Sequence, residues 1–577
     1  MTAAAVRFLA GRVTLGLLAL VVSALPAAPQ AATPAVDSPA RPALVVILVV
    51  DQFRGDYVDK YGHQWRHGLR RLFDEGAYYT EAAYRYASTT TCAGHATIGT
   101  GATPQTHGMI SNAWFDRALG RDVACTEDPS ITNVSYGTTP ARTGDSSIRL
   151  ATPTLADEMR AQLGVAPQVV TMSIKARAAL SLAGHRSALS TWFDGPRGFV
   201  TSPAMGGPGR VPFLERYVAA HPVEADVEAV WERSLPPTSY LYEDLGVGET
   251  GFGAAFPHRL TAPPVDGQVD PSFYGTWQMS PFADAYLGRM AAAAVADLKL
   301  GQGQGTDFLA VSFSALDTVG HAYGPRSHEV QDILVRLDET IGTLLAELDR
   351  QVGRDRYAIA LTSDHGVGPI PQQMQALGLG GGVVDRKTVS TVLTAALGGS
   401  VLDSNTGSEI YLSRDAAAKL AALDQHEWDA VRTSLEQVDG IARAWRTTDL
   451  LAGRYEAASD PMAHAARLSA YGGRSGDITF ITDPYWFPYR IAATHGTPYS
   501  YDQHVPLVFA GPQFRRGRYT ATASPADVAP TLGRLLGVIL PAADGATRVD
   551  ALSRPPGLAA ADEPPQTQEG RQASTSP

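Results

Sequence analysis

Six side chains in this sequence of 577 residues suit a divalent cation, and four short stretches carry them: Asp51, Asp317 with His321, adjacent Asp364 and His365, and His495. Carboxylate oxygen and imidazole nitrogen are donors that zinc accepts, commonly three or four per ion, so six divide into two sites of three with a position open for water or substrate. Two such ions about 4 Å apart can hold the attacking and leaving oxygens of an in-line displacement at phosphorus. Spacing alone does not make the four stretches converge, and an adjacent Asp and His usually form a turn or a solvated hydrogen bond. The stretch TTTCAGHATIGTG offers Thr89, Thr90, Thr91 and Cys92 as attacking groups, ahead of a helix whose free N–H groups would attract phosphate. A threonine hydroxyl is weakly acidic and needs metal coordination to attack near neutral pH. Taken alone, these threonines would merely cap a helix. Lys175 and Arg177 are the remaining basic candidates, although such residues after a strand are mostly solvated.

The elements that must position these residues are legible as apolar runs that stop at them. ALVVILVVDQ stops at Asp51, QVVTMSIKAR at Lys175 and Arg177, DFLAVSFSALD at Asp317, and RYAIALTSDHG at Asp364 and His365. Short β-branched runs of this kind read as strands buried on both faces. Helical patterns lie between them: LADEMRAQLG, FADAYLGRMAAAAVADLKL and SHEVQDILVRLDETIGTLLAELDRQV. Alternating strands and helices predict an α/β domain built on a mainly parallel sheet with helices on both faces. Ligands bind beyond the carboxyl ends of such strands, which is where the chemical residues fall.

A catalytic domain is predicted over residues 43–552, with inserted segments at about 195–280, rich in Pro, Gly and aromatics, and at about 370–485, which carries short elements of its own. PADVAPTLGRLLGV resumes the core pattern near the end, with Pro at a helix start. The tail 555–577 has little to bury and is expected to be disordered. At the other end, Arg7 and Arg12 precede the apolar run Val13 to Leu25 and then small residues, so 1–32 reads as a secretory signal and the protein as periplasmic or secreted. That run is shorter than the roughly 20 residues a membrane helix needs, and no cysteine sits where a lipid anchor would attach, so no membrane anchor is expected.

Composition narrows the partners. Hydrophobic residues make up 44% and charged residues 18%, which allows a large core, and 47 basic against 58 acidic residues leave a net charge of −11. That balance argues against a nucleic-acid polymer held through many phosphates and leaves small phosphate esters open. Oligomeric state is not set by these features. Only Cys92 and Cys125 are present, so a cysteine zinc site is excluded, while one bridge or two buried thiols both remain open.

VVDQFRGDY, TTTCAGHATIGTGATPQTHGMISNAWFD, IKAR, DTVGHAYGP, TSDHG and THGTPYSYDQHVPLVF follow one another between about Val45 and Leu536. In these motifs and their order the chain resembles the bacterial alkaline phosphatases with a threonine nucleophile, relatives of the nucleotide pyrophosphatases/phosphodiesterases in the alkaline phosphatase superfamily. The resemblance implies an alkaline-phosphatase-like core with crown or lid insertions, Thr91 as nucleophile, and Asn112, Lys175 and Arg177 as phosphate-binding residues. It implies two zinc ions, one on Asp317, His321 and His495, the other on Asp51, Asp364, His365 and the Thr91 oxygen. Two displacements through a phosphothreonine then follow. The Lys-x-Arg pair favours monoesters, whose extra charged oxygen it would bind, with diester hydrolysis as a secondary activity.

Two alternatives stand beside this expectation: a type I nucleotide pyrophosphatase/phosphodiesterase, and a catalytically inert zinc or phosphate scavenger. His95, His107 and His504 read as orienting or structural residues, since six ligands already fill two sites. Cys92 lacks the Pro and Arg that follow the aldehyde-forming cysteine of sulfatases, being followed by Ala93, Gly94, His95 and Ala96.

Overall fold

Leu44–Val50 (β1) buries every side chain, and its alternate residues enter two different cores. Leu44, Val46, Leu48 and Val50 pack on one face of the sheet, and Val45, Ile47 and Val49 on the other. This is the two-faced burial expected of a strand in a parallel sheet. The structure is a computed structural model that describes residues 41–553 apart from 208, 262–268, 399–406 and 456–458. The expected signal at 1–32 and the expected tail at 555–577 lie outside the described residues.

Ten strands form the main sheet: β1, Ala77–Tyr79 (β2), Val134–Ser135 (β3), Val169–Ser173 (β4), Leu189–Phe193 (β5), Phe199–Thr201 (β6), Asp307–Phe313 (β7), Tyr357–Thr362 (β8), Leu507–Ala510 (β9) and Gly517–Tyr519 (β10). Their order is β10-β2-β9-β8-β1-β7-β4-β5-β6-β3. The five central strands, β8 to β5, run parallel, and β9 and β6 pair antiparallel at their flanks. Val50 pairs with Phe313, and Val49 with Thr362, so β1, β7 and β8 end level with one another. The α/β expectation holds.

Helices cover both faces. Pro281–Asp297 and His328–Gln351 lie on the first, with Leu287, Met290, Leu334, Leu337, Ile341 and Leu348 at helical spacing toward the sheet. Leu155–Gln162 and Val528–Leu536 lie on the second. No described helix is long and apolar enough to cross a membrane.

Residues 370–485 contain a three-stranded antiparallel sheet, Glu409–Ile410, Ile441–Arg446 and Ile478–Thr482, packed under helices Arg386–Leu397, Arg414–Ala422 and Gln425–Glu436. This segment has its own core around Leu393, Trp428, Leu435, Ile478 and Phe480. Residues 195–280 behave differently: they supply strand β6, and Phe213, Trp231, Phe256 and Trp277 join the main core.

Candidate metal and nucleophile site

The level ends of β1, β7 and β8 bring the predicted donors to one edge. Asp51 follows β1, Asp364 and His365 follow β8, and Asp317 and His321 sit one turn apart on Ala315–Tyr323, the helix after β7. His495 enters from a loop after the inserted segment. Thr91 is the first residue of the helix Thr91–Thr100, which is buried along its whole length. That helix lies directly on the Asp364 backbone: a Cβ on Gly94 would come within 2.2 Å of the Asp364 carbonyl oxygen, so only glycine allows the approach. Thr91 Oγ1 lies 3.4 Å from His365 Nε2.

The donor atoms form two compact groups of three, Asp51 with Asp364 and His365, and Asp317 with His365 and His495; in each, all atoms lie within 4.8 Å of one another. His365 therefore belongs to both, whereas the sequence reading gave it to one. His321 stands beside the second group, its Nε2 3.3 Å from Asp317 Oδ1 and its ring centroid 5.1 Å from that of His495.

Each of the three histidines donates Nδ1–H to a backbone carbonyl: His321 to Ala493 at 2.7 Å, His365 to Gly366 at 2.9 Å, and His495 to Thr89 at 2.7 Å. In the neutral ring this fixes Nε2 as an acceptor. Yet Nε2 of His365 faces Asp364 Oδ2 at 3.2 Å and Asp51 Oδ1 at 3.5 Å, and Nε2 of His495 faces Asp317 Oδ1 at 3.8 Å. Asp51 Oδ1 and Asp364 Oδ2 are buried without any hydrogen-bond partner. Buried acceptors facing acceptors fit a cation between them, and the mixed carboxylate and imidazole set suits zinc.

Electrostatics agree with that fit. Burial, and then repulsion from Asp317 and Asp364, pushes the Asp51 carboxyl well above the usual range. Burial also opposes charge on Asp317, but Lys175 and His321 hold its carboxyl well below the usual range, and His365 and His95 do the same for Asp364. Burial depresses His365 and, more strongly, His495, keeping both rings neutral at neutral pH. His321 titrates higher than usual, because Asp317 outweighs its burial.

Lys175 lies two residues beyond β4, at the N-cap of Ala176–Ala183, and Arg177 lies in the first turn of that helix. The Lys175 ammonium contacts Asp51 Oδ2 at 2.5 Å and also Asp317 Oδ2, thus touching a carboxylate of each group. The sequence reading assigned it to phosphate alone; three converging carboxylates account for this second engagement. Arg177 Nε is buried without a partner. Asn112 Oδ1 accepts the Cys92 N–H at 2.9 Å, which turns its amide nitrogen the other way. Asn112, Thr90, His321 and His495 line a cavity of about 560 Å³ whose opposite wall includes Glu409, Phe480 and Tyr489 of the inserted segment and its exit.

The remaining histidines divide. His95 donates Nδ1–H toward the Thr91 carbonyl at 2.9 Å, with Asp364 Oδ2 at 3.2 Å, and so links the Thr91 helix to the Asp364 carboxylate. His107 is buried against Thr97 and His504 contacts the Thr80 carbonyl, so neither joins the donor groups. Cys92 and Cys125 form a disulfide.

Three residues that sequence reasoning did not single out hold the donors in place. Gln52 has φ 71°, left-handed for a residue with a side chain; it gives its N–H to Asp364 Oδ1 at 3.1 Å and its Nε2 to Asp317 Oδ1 at 2.8 Å. Gly320 leaves room for it, since a Cβ there would lie 1.7 Å from Gln52 Oε1. Asp284 Oδ1 accepts the Ser314 and Ala315 N–H groups at the start of the Asp317 helix, and burial lifts its carboxyl to about 7. Asp502 fixes the His495 loop through Thr497 N and Oγ1, and burial lifts it likewise to about 7. Only adjacency to Asp51 could have pointed to Gln52; nothing local marked Asp502 or Asp284.

The family model for type I phosphodiesterase/nucleotide pyrophosphatase matches residues 45–504. Alkaline phosphatase PafA of Elizabethkingia meningoseptica is 31% identical over 518 residues, covering 87% of this chain and 92% of that one. Alkaline phosphatase PhoV of Synechococcus elongatus is 29% identical over 520 residues, covering 87% and 91%. The crystal structure of wild-type PafA matches with a TM-score of 0.80 at 28% identity, covering 90% of this chain and 100% of that one. With its strand-end donors and a family match spanning most of the described residues, the chain belongs to the type I phosphodiesterase/nucleotide pyrophosphatase family and is a phosphoester hydrolase.

Proposed function

We propose that the protein is an exported, zinc-dependent alkaline phosphatase that hydrolyses small phosphate monoesters through a phosphothreonine on Thr91. One observation carries this reading: the imidazole acceptors of His365 and His495 face the buried carboxylates of Asp51, Asp317 and Asp364 beside the Thr91 hydroxyl. Asp317, His321 and His495 would hold one zinc, and Asp51, Asp364, His365 and Thr91 the other. Bound there, two dications would supply the charge that acidifies the threonine hydroxyl and neutralises oxygens gaining charge at phosphorus.

Thr91 presents its hydroxyl from the first turn of a buried helix, which restricts it to one line of attack. Attack by Oγ1 on phosphorus forms the phosphothreonine and breaks the bond to the alcohol oxygen, which departs with a proton as the alcohol. Water then attacks the same phosphorus, releasing inorganic phosphate and restoring the hydroxyl. Asn112, Lys175 and Arg177 would bind the non-bridging oxygens, the positioning task that dominates phosphoryl transfer. A dianionic monoester would draw the Lys175 ammonium toward phosphate, whereas a diester offers one charged oxygen fewer.

The names of the relatives PafA and PhoV support a monoesterase, and the family description supports a diesterase. The two substrates 4-nitrophenyl phosphate and bis(4-nitrophenyl) phosphate decide between them. A higher kcat/KM is expected on the monoester, and preference for the diester would reject the role given to Lys175 and Arg177. Metal binding without turnover of either ester would mark a scavenger. Export to the periplasm or beyond is supported by the Cys92–Cys125 bridge, since disulfides persist in oxidising compartments.

A further inference from the structure

Asn112 and Cys125 sit opposite each other at the base of a hairpin, Ala113–Asp116 with Arg121–Ala124, which is a separate two-stranded sheet. A lone two-stranded hairpin is marginally stable in water. The hairpin's outer turn is exposed, with Leu119 53% accessible. Its ties to residues 370–485 are a ring contact of Phe115 with the buried Tyr411, Arg117 over that same ring, Arg474 over the Trp114 ring, and an Arg117–Asp477 ion pair that solvent screens. Its base is held more firmly. Cys125 N–H donates to the Asn112 carbonyl at 3.0 Å, Cys92 N–H donates to Asn112 Oδ1 at 2.9 Å, and the disulfide joins the two cysteines. These three links close a ring that contains Asn112 and begins one residue after Thr91. Both cysteines are buried, within a small cluster with Ile110, Trp114 and Val123 that is distinct from the two main cores.

Because Oδ1 is held by the Cys92 N–H, the Asn112 amide nitrogen is the atom left to meet a ligand, and it makes no hydrogen bond to another described residue. We propose that the Cys92–Cys125 bridge is a positioning element for phosphate: it fixes the hairpin base so that the Asn112 amide stays beside Thr91. This rests on the phosphate-binding role given to Asn112 above. Without the bridge, the hairpin base is held to the helix of Thr91 only by the Cys92 N–H to Asn112 Oδ1 hydrogen bond and by apolar packing around Trp114, with no covalent tie, and phosphate meets a less firmly oriented donor.

A double-mutant cycle tests it, using wild type, Asn112→Ala, Cys125→Ala and the combined variant. The readouts are kcat/KM on 4-nitrophenyl phosphate and the affinity for inorganic phosphate measured by calorimetry. Cys125→Ala is expected to lower both by about tenfold, as loss of orientation does. In the Asn112→Ala background the same change should cost less than about twofold, since the group it positions is already gone. An equal loss in both backgrounds would make the bridge a general brace and overturn the proposal, as would a Cys125→Ala enzyme with wild-type phosphate affinity.

If Asn112→Ala alone changes neither readout, the role of Asn112 falls and the proposal with it. If the wild type prefers another ester, the calorimetric arm still tests the bridge while the monoesterase reading fails separately. Should Cys125→Ala not accumulate as folded protein, the oxidised wild type and Asn112→Ala enzymes are compared before and after phosphine reduction, with the same criterion on phosphate affinity.

Discussion

The strand-end rim and residues 370–485 meet across one cavity, yet they are built on different terms. On the rim, Asp51, Asp317, Asp364 and His365 are buried at the ends of parallel strands whose register is set over six or seven residue pairs. The inserted segment has its own core, and it reaches the cavity through Glu409, Phe480 and, just beyond it, Tyr489. Parallel strands locked on both faces can hold donor atoms in one geometry; a segment with a core of its own can vary its surface without moving them. The donor groups thus sit on the rim, while residues 370–485 supply part of the cavity wall facing them.

The largest expected effect breaks the rim. Thr91→Ala should lower monoester kcat at least about a thousandfold, as loss of a nucleophile that acts with its neighbours does, while metal content measured by emission spectroscopy stays unchanged. Substrate labelled on phosphorus should leave no label on the acid-quenched variant. Retained labelling would move the nucleophile elsewhere, with Thr89 and Thr90 next in line.

Lys175→Ala sharpens the comparison within the rim. The ammonium touches Asp51 and Asp317, so its loss should reduce the monoester rate by about a hundredfold while reducing the diester rate tenfold or less, because only the monoester offers the extra charged oxygen. Equal losses would mean that Lys175 serves the carboxylates alone.

On the cavity wall facing the rim, Tyr489→Ala should raise KM for a bulky aryl phosphate by about tenfold and leave inhibition by inorganic phosphate within twofold, since Tyr489 lines the cavity, is 41% accessible, and its truncation removes contact with the alcohol only. A parallel loss of phosphate affinity would erase the division between the two regions.

How much of this was legible in the sequence follows the same division. Asp51, Asp317 and Asp364 could be picked out because each ends an apolar run, and the strand order then follows from alternation with helices. Gln52 and Asp284 could not, because they act through contacts 265 and 30 residues away, on Asp317 and Ser314, that no local pattern records. The sharing of His365 between two donor groups depends on side-chain directions at three strand ends. Cysteine count left the Cys92–Cys125 pair open, and only the fold of the hairpin onto the nucleophile helix closes it. Residues 195–280 carried the composition of an insertion, but Phe199–Thr201 completes the main sheet, a pairing that turn-rich composition conceals.

The smallest expected effect concerns Glu409, whose carboxylate accepts Gly476 N–H at 2.8 Å and Thr479 Oγ1–H at 3.1 Å, joining two strands of the lid sheet. Burial lifts its carboxyl from 4.5 to about 7, against the pull of those hydrogen bonds. A carboxyl raised on folding contributes stability in full below its unfolded value near 4.5, and that contribution is lost as pH rises through about 7. Glu409→Gln keeps the acceptor oxygen and removes the buried charge. Because the residue is partly accessible, the gain should be only about 1 kcal/mol above pH 8, after allowing for solvent screening, and near zero at pH 5. Hydrogen exchange of the lid strands at the two pH values measures it, with the β1 amides as the internal reference. Slower exchange confined to the lid at high pH is expected if the lid opens independently of the rim, whereas equal slowing in β1 would show that lid and rim open as one unit.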